Sequence, residues 1–249
     1  MRAPSKILVI AVLAACELAA CGGASDSPPG PLAKHFDDMY LAAIPPAQQP
    51  QVVQSEHDWS FARRENAKAE ADLAESVTQL SIAQNDQKAA QLGVDSAVSS
   101  KKSAEASADT NRLNNAVRDL HTAEDVAKAA DARVKYIEAY RAYLQVAQRH
   151  AQENMYWREA QYELAKAKLA QSNNIAPKGV SYDTFPKQEE ERGKRAASAR
   201  SRLDSEKSRT MSARENWMRA QETANRETGR SGSFFDPMGA KSGTTGSSQ

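Results

Sequence analysis

Between Pro50 and Pro177 lie 126 consecutive residues with no proline and a single glycine, Gly93. Sandwiches, barrels and doubly wound sheets need frequent turn residues, so a stretch this free of breakers excludes them and reads as long helix. Composition then sets the character of those helices. Alanine occurs 45 times, whereas Leu, Ile, Val and Phe together supply 37 of 249 residues. That share is below the ~20 % at which disorder becomes an alternative. Disorder also needs a large net charge, and 33 basic against 32 acidic residues leave only +1. The expected fold is all-α: a long antiparallel helical hairpin or coiled coil, with a third helix packed at an aromatic-rich base and disordered termini.

The N-terminus sets the compartment. Arg2 and Lys6 precede an apolar run from Ile7 to Ala15. Nine helical residues span ~14 Å, too short to cross a ~30 Å hydrocarbon core, and fit the apolar region of a secretory signal. Leu18-Ala19-Ala20-Cys21 resembles a bacterial lipobox: an apolar residue, two small ones, then the cysteine that is acylated. Leu13-Ala14-Ala15-Cys16 fits the same pattern and stays open as the alternative. Cys21 is preferred because cleavage before Cys16 leaves only nine residues after Lys6. Glu17, a charge next to the apolar run, speaks for Cys16. The resemblance implies an exported lipoprotein held by acyl chains such as palmitate. In an enteric-type bacterium Gly22 after the lipidated cysteine implies the outer membrane, facing the periplasm; an inner-membrane or Gram-positive setting stays open as the alternative. The body carries no cysteine beyond residue 21, hence no disulfide.

The chain divides into a signal peptide (1–20), a tether (21–49), a three-helix domain (50–228) and a disordered tail (229–249). Residues 22–31 form a Gly/Pro/Ser spacer. Leu32, Phe36, Met39, Tyr40 and Ile44 are spaced as a short amphipathic helix, stopped by Pro45-Pro46, that either docks on the body, the preferred reading, or lies on the membrane. The three long helices are expected at about 50–106, 110–171 and 187–228. Ser55 and Asp58 suggest a capping box near the start of the first, and Asp109-Thr110-Asn111 offers caps for the second. Large apolar positions in the first helix are Trp59, Leu73, Val77, Leu80, Val94 and Val98.

Two places compete for the turn between the first two helices, Gly93 and the region near 107. A turn at 107 sets Trp59 beside residue ~155 and Phe61 beside ~153, in a region holding Met155, Tyr156, Trp157 and Tyr162. A turn at Gly93 sets Trp59 in an alanine tract. Aromatic side chains bury ~150–250 Å² each, so the 107 turn is preferred. Helix three, returning from a turn near 179, places Trp217 beside ~141. The first two helices then extend from about residue 75 to 107 as a two-stranded arm. Residues 50–106 carry net −3 and 187–228 net +3, a bias that lets those helices lie side by side.

Chemistry-bearing patterns are sparse. His35, His57, His121 and His150 lie far apart with no metal-ligand spacing, and acylation of Cys21 leaves no thiol for metal or nucleophilic work. No cofactor, metal, small-molecule substrate or nucleic acid is expected. The run Glu189-Glu190-Glu191 is explained by the dipole at a helix start. Phe234-Phe235-Asp236-Pro237-Met238 places two aromatics in a polar tail: a short docking motif for an envelope partner, or a segment that folds back onto the base. The functional expectation is a non-enzymatic envelope lipoprotein acting as a coiled-coil scaffold or adaptor for another envelope protein, or self-associating. The alternative is a periplasmic holdase-like chaperone.

Overall fold

The structure, a computed structural model, describes residues 28–229 and 234–239. The signal segment, both cysteines, and residues 21–27, 230–233 and 240–249 lie outside them. Three helices make up the body: α1 (Pro50–Ala106), α2 (Thr110–Ser172) and α3 (Thr184–Thr228). At 1.5 Å per residue the 57 residues of α1 extend ~85 Å and the 63 of α2 ~95 Å. The architecture is all-α and antiparallel, with α1 and α3 each packed along α2. Among the described residues no helix is long and apolar enough to cross a membrane.

The α1–α2 turn falls at 107, as the aromatic argument requires. Ser107 caps α1, Ala108 takes a positive φ of 53°, and the Asp109 carboxylate accepts from the Asn111 and Arg112 amides to start α2. Gly93 lies inside α1 with open space around its Cα. α1 starts at Pro50, as expected, and not at the Ser55 capping box. Pro50 sits at its first position, where a missing N–H costs nothing, and Ser55 is already helical, its hydroxyl donating to Gln51 O.

The seam of α1 explains how so few large side chains hold the hairpin. Its buried residues, Val52, Ala62, Ser76, Ala83 and Ala104, fall on an unbroken alternation of three- and four-residue steps. One half of that seam carries Val52, Trp59, Leu73, Leu80 and Val94. The other half, from Ser55 to Ala104, is Ala or Ser in every heptad. Small side chains let the helix axes approach closely, and Ser76 and Ala83 are both 0 % exposed. Val77, one step off this seam, is 52 % exposed, contrary to its expected core role.

The aromatic partners also shift from the expected positions. Trp59 stacks on Tyr162 (5.6 Å between centroids, 17° between planes), seven residues beyond position 155. Trp217 stacks on Tyr136 (5.3 Å, 11°), five residues before position 141. Phe61 is exposed, with the Arg64 guanidinium over its ring. Estimating register from the turn alone assumes equal progress along both helices, whereas packing sets the register locally.

Helix α3 starts at Thr184, with Phe185 buried in its first turn. Its last residues reach Val126 and Thr122 of α2: Asn225 and Thr228 share a cavity wall with Val126, and Glu227 borders a surface hollow with Thr122. The part of the hairpin left two-stranded is therefore much shorter than 75–107. The charge bias of α1 and α3 does not bring them together, because α2 lies between them and they form no packed interface of their own. Ties to α2 hold α3 in place. Thr210, fully buried, reaches Ala139 O at 3.1 Å, and Arg195 pairs with the buried Glu153 at 2.9 Å. Trp157 donates its indole N–H to Glu189 at 2.7 Å. Gly193 makes that possible, since a Cβ there would stand 3.1 Å from the indole nitrogen. Glu189 thus does more than complement a helix dipole.

Residues 32–44 dock on the body as expected, but not as an α-helix. Only 3-10 turns form, at Asp38–Leu41 and Pro46–Gln48. The reason is tertiary. Phe36 N–H donates to Glu163 at 2.6 Å and Phe36 O accepts from Lys166 at 2.9 Å, so its backbone groups are used by α2 side chains. Phe36, Leu41 and Ile44 then bury against Val52, Ala167, Ala170 and Phe185, closing the base of the bundle.

Candidate functional site

The Phe234–Met238 segment folds back onto the bundle, the second of the two readings of this motif. The Tyr136 hydroxyl donates to Asp236 Oδ1 at 2.6 Å and accepts from the Met238 amide at 3.2 Å. Arg214 Nε donates to Asp236 Oδ2 at 2.7 Å. Met238 packs on the cluster of Ala83, Val134, Ile137, Tyr136 and Trp217. A side chain at Gly239 would collide with the Asp236 carboxylate, so the turn that closes this clasp requires glycine.

The electrostatics follow from this geometry. Burial pushes the Tyr136 hydroxyl well above its ordinary range, and the hydrogen bond to Asp236 adds to the shift. Burial also pushes the Asp236 carboxyl up. Hydrogen bonds from Arg214, Tyr136 and the Gly239 amide outweigh it and hold the group below its ordinary value. Asp236 is therefore a carboxylate at neutral pH, bound by the Arg214 cation and by three uncharged donors, the Tyr136 hydroxyl and the Met238 and Gly239 amides.

Phe234 sits at the other end of the clasp with the Arg133 guanidinium 4.4 Å from its ring centroid. Arg133 is buried and also pairs with Asp86 of α1. The ring borders a cavity of about 210 Å³ walled by Ala90, Val126, Ala129, Ala130 and Ala224. On its other side lies a recess lined by Ala89, Gly93 and Ala123. Alanine walls leave this space because α1 and α3 do not meet. Phe235 is 58 % exposed. The structure thus separates the two expected docking residues: Phe234 is engaged in cis and Phe235 faces solvent.

No protein family, curated protein or solved structure matches this chain.

A second polar site lies at the base. Lys166, 3 % exposed, bridges Glu163 at 2.9 Å, Asp38 at 2.8 Å and Phe36 O. Burial alone would lower the Lys166 pKa, but the hydrogen bonds it donates to Asp38 and Glu163 raise it above its ordinary value. The ammonium group also lies 4.5 Å from the Tyr162 ring centroid, linking the strap to the Trp59–Tyr162 stack. Arg192 donates to Gly30 O at 2.9 Å, and Lys34 exchanges two hydrogen bonds with Gln188. Residues 30–41 are thereby strapped to the base. Sequence reading missed this site, although Glu163 and Lys166, three residues apart in an apolar stretch, were its signal. The four histidines remain apart; His35 lies 3.6 Å from Glu163, and the others have separate surroundings. Among the described residues no group of three or more His, Cys, Asp or Glu has metal-binding geometry.

Proposed function

We propose that the chain is a non-enzymatic envelope lipoprotein, acylated at Cys21, that acts as a coiled-coil scaffold or adaptor for another envelope protein. The observation that carries this reading is the position of the strap. Residues 30–41 are fixed to the base, and Cys21 is seven positions before Pro28, a reach of at most ~25 Å. A lipid on Cys21 therefore keeps the base near the membrane, while the 107 turn lies ~85 Å along α1 from it. The mechanism is geometric: the anchor sets the position of one end, and the bundle presents its flank and tip at a set distance. Two helices, α1 and α2, supply the exposed helical surface of that flank. Phe235, the exposed member of the aromatic pair, is the side chain assigned to partner docking.

Photo-crosslinkers placed at Ser107 and Phe235 in the native envelope test this reading. A single recurrent partner, or a second copy, supports it; a broad smear of unrelated unfolded proteins, together with suppression of client aggregation by the purified chain, assigns the holdase function instead. Loss of acylation in Cys21→Ser tests the anchor, and transfer of label to Cys16 would relocate it.

A further inference from the structure

The base ends in a surface unlike the rest of the molecule. Two segments form it, 39–49 before α1 and 173–182 between α2 and α3, and both pack on the core cluster of Phe36, Ile44 and Phe185. These twenty-one residues contain one charged side chain, Lys178, in a chain that is 26 % charged. Their exposed members mix apolar side chains (Met39, Ala42, Pro46, Ala47, Ala176 and Val180) with uncharged polar ones (Gln48, Asn173, Asn174 and Ser181). Tyr40 and Tyr182 are half-buried at the edge of the same cluster. Met39 is 66 % exposed and Val180 36 %. This weakly charged surface is covered by neither α1 nor α3, because it is where they begin.

We infer that this end-face seats on the lipid bilayer itself, so that the bundle is held at its base by contact as well as by its leash. The inference rests on acylation at Cys21, the reading proposed above. The length of the leash decides the occupant. Pro28 is at most ~25 Å of chain from Cys21, and the strap binds Arg192 and Gln188, one to two turns above the start of α3. The end-face is thus within reach of the surface in which the acyl chains are buried. Its chemistry suits that surface. Small apolar side chains and prolines enter the headgroup boundary without leaving charges dehydrated, half-buried tyrosines match the interfacial zone, and Lys178 faces phosphate groups. The contact makes the bundle an oriented post and points the 107 turn away from the membrane.

The experiment uses the full acylated chain in vesicles of phosphatidylethanolamine and phosphatidylglycerol, with brominated acyl chains as short-range quenchers. Fluorophores are attached at one position at a time, in Val180→Cys, Ala43→Cys and Ser107→Cys. Severalfold stronger quenching at 180 and 43 than at 107 is expected. Val180→Asp with Met39→Asp, helical by circular dichroism and still acylated, should abolish quenching at 43 while the protein stays vesicle-bound. Vesicle-bound protein with no quenching at 180 and 43, or with equal quenching at 107, overturns the end-face contact and leaves the anchor standing. Crosslinking between end-faces without quenching gives the surface to a second copy and overturns it likewise. A chain that carries no acyl group by mass removes the anchor and the inference together.

Discussion

Tyr136 donates its hydroxyl to Asp236, a residue one hundred positions further along the chain, and stacks its ring on Trp217 of α3. One side chain thereby fastens the C-terminal segment to α2 and joins α2 to α3. Tyr136→Phe keeps the stack and removes the hydroxyl, leaving Asp236 and the Met238 amide short of a partner. Hydrogen bonds to charged groups contribute ~1.5–3 kcal/mol, and solvent access to Asp236 places the expected effect at the lower end. Limited proteolysis should remove the segment faster while the helical spectrum is unchanged. An unaltered cleavage rate would show that the apolar contacts alone hold it.

The clasp has a pH window set by the two shifts. Asp236 is depressed in the folded chain, so its contribution is complete above its ordinary value of 3.8 and is lost as pH falls through the folded pKa. Tyr136 is raised, so its contribution is complete below its ordinary value of 10.0 and is lost as pH rises above it. The Met238 methyl resonance should hold steady between these limits and move toward a free-chain value in acid. Asp236→Asn should remove the acid transition and leave the alkaline one.

Small residues in the α1 seam should tolerate no growth. Ala83→Leu places three more carbons where the existing side chain is fully buried, and overpacking of this kind costs ~1–3 kcal/mol. Val77→Ala, at an exposed position, should change stability by less than ~0.5 kcal/mol. Urea unfolding of the two variants checks the seam directly; equal effects would refute it.

The base pair Glu163–Lys166 should be costly to break and cheap to remove whole. Lys166→Met strands a buried carboxylate and should cost ~3–5 kcal/mol. Combining it with Glu163→Gln should recover part of that loss, because the stranded charge is gone. Thermal unfolding of the single and double variants gives the coupling.

The helices, their turn and the docked strap were legible in the residues, since breakers, caps and aromatics are local signals. The α1 seam was legible only in part. Trp59, Leu73 and Leu80 mark one half of it, but the other half is Ala and Ser, which a search for large apolar side chains passes over and which led to Val77. The clasp was half legible: Phe234 and Phe235 stand out in a polar tail, yet their partners Arg133, Tyr136 and Arg214 are scattered through two helices. Glu163 and Lys166 read as ordinary charges on a helix until Phe36 lies across them.

By itself the sequence determined that this protein is long and helical, that its chain turns at 107, and where its apolar mass concentrates. Those properties depend on residues within a few turns of one another, except that the choice of turn rests on matching aromatics on either side of it. Only the tertiary structure decided which faces meet: that α1 and α3 each pack along α2, that Trp217 pairs with Tyr136, and that Phe234 borders the cavity left between the helices. The physical reason is that many alanine-rich faces bury similar small areas, so local pattern leaves several packings nearly equivalent. The choice falls to a few long-range contacts, such as the Tyr136 hydroxyl and the Lys166 ammonium, each satisfied in only one arrangement.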